Sequence, residues 1–203
     1  MTHLYNLWDL ASRVRDPDDS YYKKFKSLLQ IMPPLNMSDG PWLAGGSIRR
    51  LLDGSKETAD FDFFFKSQSQ LEEFNQKCGR TSVVADTKFS VTMKYSGYVI
   101  QLVKLYAESA SSIIDGFDFT ACQLITDGNM LMVGEHTLYD IGRKYLSPHK
   151  IVHLDSSIKR LIKHINQGYS IDEKCIHSIV NLAKDEKVKV VHSSFETKLD
   201  FIL

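Results

Sequence analysis

The run Leu43-Ala44-Gly45-Gly46-Ser47-Ile48-Arg49-Arg50, followed by Asp60-Phe61-Asp62, organises this sequence. Trp42-Leu43-Ala44 is a short apolar strand candidate, and Ser47 to Leu52 reads as a helix closed by Asp53-Gly54. Two adjacent glycines between a strand and a helix let backbone amides approach a phosphate with no Cβ in the way. The helix that follows adds unpaired amides and the positive end of its dipole. Asp60 and Asp62 stand at i and i+2 of a strand expected over Ala59 to Phe65, so their side chains share a face. Phe61, Phe63, Phe64 and Phe65 surround them with apolar sequence, in which an unpaired charge is costly. A divalent cation bound by the two carboxylates and by phosphate oxygens removes that cost.

Outward from this run the pattern alternates. On the N-terminal side, residues 2–14 place Leu4, Leu7, Trp8, Ala11 and Val14 at helical spacing. Asp19 or Ser20 can cap a second helix with Tyr22, Phe25, Leu28, Leu29 and Met32 inward, stopped by Pro33-Pro34. On the C-terminal side, Ser67 to Lys77 reads as a helix. Ser82 to Ala85, Phe89 to Tyr95, Tyr98 to Tyr106, Phe117 to Ile125 and Met130 to Val133 read as strands. Helices are expected again over Thr137 to Tyr145, Ser156 to Gln167 and Ile171 to Lys184. Val188 to Val191 is a late strand candidate, and Phe195 to Leu203 a terminal helix or tail.

The expected fold class is therefore α/β (α+β): a mixed sheet flanked by helices, with N-terminal helices and a small C-terminal helical part. The expected division is 1–40 as a helical segment packed on the core, 41–135 as the core, and 136–203 as the C-terminal helical region.

Composition excludes several classes. Of 203 residues, 43% are hydrophobic and 25% charged, which fits a globular chain and not a disordered one. No apolar run is long enough to cross a bilayer, and the N-terminus lacks a basic segment followed by an apolar one, so neither a membrane nor a secretory route is expected. Cys78, Cys122 and Cys175 are odd in number and widely spaced, the pattern of reduced cytoplasmic thiols. The 25 Lys and Arg balance the 25 Asp and Glu, so any grip on nucleic acid must come from local patches. Lys159, Arg160, Lys163 and His164 form one such candidate face, more simply a solvated one. Arg143-Lys144-Tyr145 is a smaller cluster. His149, His153, His164 and His177 are too scattered for a metal site.

The central run resembles the DNA polymerase β-like nucleotidyltransferase superfamily, and within it the head domain of tRNA CCA-adding enzymes and bacterial poly(A) polymerases. Those proteins carry an apolar residue, Gly-Gly, an Arg-bearing helix, a Leu-x-Gly turn and an Asp-x-Asp strand. Here the same order reads Leu43-Ala44-Gly45-Gly46-Ser47-Ile48-Arg49, Leu52-Asp53-Gly54 and Asp60-Phe61-Asp62. Phe117-Asp118-Phe119-Thr120 looks like their downstream Asp-Phe-Thr stretch, and the likeness covers roughly residues 40–130.

The resemblance implies transfer of a nucleotidyl group from an NTP such as ATP to a hydroxyl, with Mg²⁺ or Mn²⁺ and release of pyrophosphate. It implies Asp60 and Asp62 as metal ligands and catalytic residues, with Gly45, Gly46 and Ser47 on the triphosphate. Arg49 and Arg50 would contact phosphate or acceptor groups. RNA, with tRNA foremost, is the implied acceptor.

Two positions depart from the pattern. The slot for a third carboxylate, in Val99-Ile100-Gln101-Leu102-Val103, holds Gln101, which can neither carry charge nor act as a base, leaving Asp118 as the candidate to complete the catalytic set. Gly116-Phe117 stands where the family often carries two arginines. The rival expectations are a silent module that binds a nucleotide or a partner, and a toxin- or defence-type transferase acting on protein or tRNA.

Overall fold

The computed structural model describes residues 1–55, 60–79 and 81–185. The expected late strand at 188–191 and the terminal helix or tail at 195–203 lie outside the described residues.

The first turn of the chain differs from the helix expected over 2–14. Thr2–Asn6 is a strand, β1, and only Leu7–Val14 is helical, α1. Asn6 makes the switch, because its side chain accepts from the amides of Trp8 and Asp9 and caps the helix. The second helix, α2, spans Ser20–Ile31 with Asp19 as its cap. There follow β2 (Trp42–Ala44), α3 (Gly46–Asp53), β3 (Phe61–Phe64), α4 (Gln68–Cys78) and the meander β4 (Ser82–Asp86), β5 (Ser90–Tyr95) and β6 (Tyr98–Val103). Next come α5 (Ala110–Asp115), β7 (Leu124–Thr126), β8 (Met130–Gly134) and α6 (Thr137–Arg143). Two short strands, β9 (Tyr145–Leu146) and β10 (Ser170–Ile171), bracket α7 (Leu154–Asn166) and pair in parallel, and α8 covers Glu173–Asp185.

The strand expected over Phe117 to Ile125 is a correction: Thr120–Cys122 is a 3-10 turn, and the ladder begins only at Leu124. The backbone is drawn off the sheet by its bonds, since the Asp118 carbonyl takes the amides of His149 and Lys150, and the Thr120 hydroxyl binds Asp140.

Eight strands form one mixed sheet in the order β1-β8-β7-β2-β3-β6-β5-β4, with β3 and β6 parallel and their other neighbours antiparallel. One face carries the main core. Leu43, Phe61, Phe63, Ile100 and Leu102 are buried there against Phe25 and Leu28 of α2, Ile48 and Leu51 of α3, and Leu71 and Phe74 of α4. Phe61 packs on Phe25 with ring centres 5.6 Å apart, and Phe63 packs on Phe74 at 5.3 Å. The opposite face is covered at one end by α5, whose Ala110, Ile113 and Ile114 bury Trp42, Ala44 and Ile125. At the edge of that patch and beyond it, Asp62, Phe64, Gln101 and Thr92, which face this side, are only half-buried. This open part of the sheet holds the candidate site.

Candidate active site

Register alone assembles the centre of the site. Ala44 of β2 pairs with Asp62 of β3, Asp62 pairs with Gln101 of β6, and Gln101 pairs with Thr92 of β5. Directly paired residues project to the same face, so Asp62, Gln101 and Thr92 form one row, ending at Ala44 beside the two glycines. The Gln101 amide donates to the Thr92 hydroxyl at 3.1 Å. Gln101 thus stands next to Asp62, in the slot assigned to a third carboxylate.

The two glycines do different jobs. Gly45 adopts φ +79° and ψ −131°, a conformation open essentially to glycine alone, and its amide bonds the Leu124 carbonyl at 2.9 Å. That bend turns β2 into α3. A Cβ on Gly46 would meet nothing within 4 Å, so the space above that residue is open. The first helical bond runs from the Arg49 amide to the Gly45 carbonyl (3.2 Å), and no side chain caps the helix. The amides of Gly46, Ser47 and Ile48 therefore form the uncapped positive end of α3.

Asp60 is exposed and precedes β3, which starts at Phe61, not at the expected Ala59; Ala59 lies outside the described residues. Asp62 is half-buried. Burial, then the Asp60 charge, raises the Asp62 carboxyl to about 7, while Lys163 and Arg50 pull the other way. These four residues are the electrostatic neighbourhood of the site. Lys163 was legible only as part of a basic helix face, and nothing local in the sequence linked it to Asp62.

Several side chains are placed otherwise than expected. Asp118 does not complete the carboxylate set. Its carboxylate accepts from the Ser157 hydroxyl at 2.6 Å and from Arg160 Nε at 2.8 Å, clasping α7 to the core. Among the described residues, no three His, Cys, Asp or Glu side chains stand together to hold a metal ion, so Asp118 does not join Asp60 and Asp62.

Arg49 is buried, and its guanidinium is engaged within the protein. It bonds Asp53 Oδ2 and Gln167 Oε1, each at 2.6 Å, and lies over the Tyr169 ring, whose hydroxyl also donates to Asp53 at 3.0 Å. The Ser47 hydroxyl is buried without a hydrogen-bond partner among the described residues, so what Ser47 offers a ligand is its amide. Arg50 is also buried, and it reaches the site through its charge on Asp62.

His164, assigned from sequence to the basic face, is inside. Its Nε2 lies 3.4 Å from the Cys122 sulfur, and its ring packs on Phe119 and Tyr169. Burial drives the His164 pKa down to about 3 and pushes the Cys122 thiol up to about 11, so this pair is neutral packing and not a nucleophile with its base.

The donor set suits a hard cation. Two neighbouring carboxylates, one of them raised by burial and then by the charge of the other, gain from Mg²⁺, with phosphate oxygens and water as the remaining ligands. An uncapped helix end with open space at Gly46 suits the triphosphate that would share the ion.

Comparison with solved structures agrees with this fold. The chain superposes on the Thermotoga maritima CCA-adding enzyme complexed with tRNA with a TM-score of 0.61 and 16% identity, over 91% of this chain and 47% of that one. A CCA-adding enzyme in complex with CTP gives 0.62 and 17%, over 92% and 46%. The Bacillus stearothermophilus CCA-adding enzyme in complex with CTP gives 0.56 and 13%, over 76% and 42%. At such identities the likeness establishes the nucleotidyltransferase fold of their head domains, and the chain spans less than half the length of these enzymes. No curated protein matches in sequence. A family model described as Gabija anti-defense 2 family protein, Gad2, matches residues 19–144, which include β2, α3, β3 and the row through Gln101. The chain belongs to the Gabija anti-defense 2 family.

Proposed function

We propose that this protein is a Mg²⁺-dependent nucleotidyltransferase that moves a nucleotidyl group from an NTP to a hydroxyl acceptor, RNA first among acceptors. The observation that carries this reading is the pairing of Ala44 with Asp62, which puts a carboxylate beside the Gly45–Gly46 bend and the uncapped end of α3. The amides of Gly46 and Ser47 hold the triphosphate, Gly45 supplying the bend, and Asp60 and Asp62 hold Mg²⁺, a role Mn²⁺ can fill. Bound there, the ion would offset phosphate charge and supply Lewis-acid polarisation of the phosphate oxygens. Arg50 and Lys163, the cations acting on Asp62, add to that field. The acceptor hydroxyl releases its proton to solvent water, its oxygen bonds the α-phosphorus, the bond to the oxygen bridging the α- and β-phosphates breaks, and pyrophosphate leaves. Three free buried thiols support work in a reducing cytoplasm. Among the described residues no helix is long and apolar enough to cross a membrane.

A second reading keeps the nucleotide and drops the transfer. It is favoured by Gln101 in the third-carboxylate slot and by the clasp that occupies Asp118. The family description supports a counter-defence setting for either reading, with a component of the Gabija system as the modified acceptor or the captured partner.

Incubation with each labelled NTP, Mg²⁺ or Mn²⁺, and RNA or protein acceptors separates the readings. Transfer abolished by Asp60→Ala and by Asp62→Ala is the expected result. Transfer surviving both substitutions would remove the metal assignment, and nucleotide binding with no transfer to any acceptor class would select the second reading.

A further inference from the structure

We propose that Phe117 is the platform on which the nucleobase of the bound nucleotide stacks; this rests on the nucleotide site described above and names what holds its other end. The ring sits directly on the phosphate loop: a Cβ on Gly45 would lie 3.5 Å from Phe117 Cε1 and 3.6 Å from Cζ. The ring therefore stands against the bend that carries the Gly46 and Ser47 amides.

Phe64 holds the ring's plane. It stands two residues after Asp62, hence on the same face of β3, and meets Phe117 edge-on with ring centres 6.2 Å apart and planes at 70°. The backbone is fixed as well, with the Phe117 amide on the Ile114 carbonyl at 3.3 Å, at the end of α5, which is buried against the sheet. Both rings are only half-buried, at the margin of the small core.

The chemistry follows from the residue type. A guanidinium at this position would serve phosphate oxygens; an uncharged ring gives a phosphate nothing but offers a π-face to a base. Stacking is tolerant of base identity because every base has such a face. The triphosphate end and the base end of the ligand are thus held by separable groups, backbone amides with carboxylate-bound Mg²⁺ at one end and Phe117 at the other.

The test compares two probes, ATP with Mg²⁺ and inorganic tripolyphosphate with Mg²⁺, by calorimetric titration of wild type, Phe117→Leu and Phe117→Tyr. Expected is a weakening of ATP by about tenfold or more in Phe117→Leu, with tripolyphosphate unchanged and ATP affinity retained in Phe117→Tyr. Thermal melts accompany each variant, and the tyrosine variant keeps the ring's packing if leucine loosens the small core. Unchanged ATP affinity in Phe117→Leu, or an equal loss for both probes, overturns the stacking role. Failure of wild type to bind either probe overturns the nucleotide site itself, a result distinct from both.

Discussion

The two faces of the sheet are written by the same strands and do opposite work. Along β3, Phe61 and Phe63 point into the helix-covered core, while Asp62 and Phe64 point to the open side. Along β6, Ile100 and Leu102 are buried, and Gln101 between them faces the open row. The covered face holds the fold through burial of apolar area. The open face carries a raised carboxylate, a glutamine and a bare helix end, none of which contributes such burial. The difference teaches that stability and function are separable here by a one-residue step along a strand.

The widest separation is expected at Phe63 and Asp62. Phe63→Ala empties a fully buried ring site and should cost about 3–5 kcal/mol, read as a lowered urea midpoint. Asp62→Asn should melt no lower than wild type at pH 8, because burial already disfavours the charge it removes, yet lose transfer by ~100-fold or more. If both variants lost stability alike, the division between the faces would fail.

Arg49 sharpens the same contrast from the edge of the site. Removing it by Arg49→Leu leaves Asp53 buried without its cation, at an expected cost of about 3–5 kcal/mol. A variant as stable as wild type but unable to bind triphosphate would return Arg49 to the ligand.

The neighbouring glycines should part in a smaller way. Gly45→Ala forces a Cβ into a strained backbone conformation and should cost about 1–3 kcal/mol. Gly46→Ala should melt within about 1 kcal/mol of wild type and instead weaken nucleotide binding, because its methyl enters the open space above the amides. Melting curves and nucleotide titrations on the two variants check this.

A last contrast is a pH dependence from His164. Folded, its pKa is held near about 3 by burial; unfolded, it binds a proton below about 6.5. Between those values the unfolded chain carries the extra proton, so its share of stability is full above the unfolded pKa and is lost as pH falls from about 6.5 toward 3. Urea melts of wild type and His164→Gln at pH 7 and pH 5 should show a smaller acid-side drop in the variant. An identical drop would place the histidine's titration elsewhere.

Local pattern carried the reading of the glycine bend and of the helix after it, because each depends on neighbours within a few positions. The slot that Gln101 fills came instead from the family resemblance, and its place beside Asp62 from the pairing of β3 with β6. What escaped depends on distant partners. Leu4 fits a helical stripe with Leu7 and Ala11, yet Thr2–Asn6 pairs with 130–134 across the sheet edge, which no spacing within the first turn can reveal. Asp118 sits in an apolar stretch like a catalytic carboxylate, but Ser157 and Arg160 reach it from α7. Arg49 follows the phosphate loop as a ligand would, but Gln167 and Tyr169 fold back over it. Even His164 shares a helix with solvent-facing lysines and still turns inward to Cys122.

The central claim is that the open face binds a nucleotide through a metal held by Asp62. Titration of ATP into wild type and Asp62→Asn, each with Mg²⁺ and with EDTA, tests it most directly. The account predicts wild-type binding that disappears with EDTA and weakens at least ~10-fold in Asp62→Asn at unchanged melting temperature. Equal affinity in the two proteins, or affinity indifferent to Mg²⁺, would contradict it.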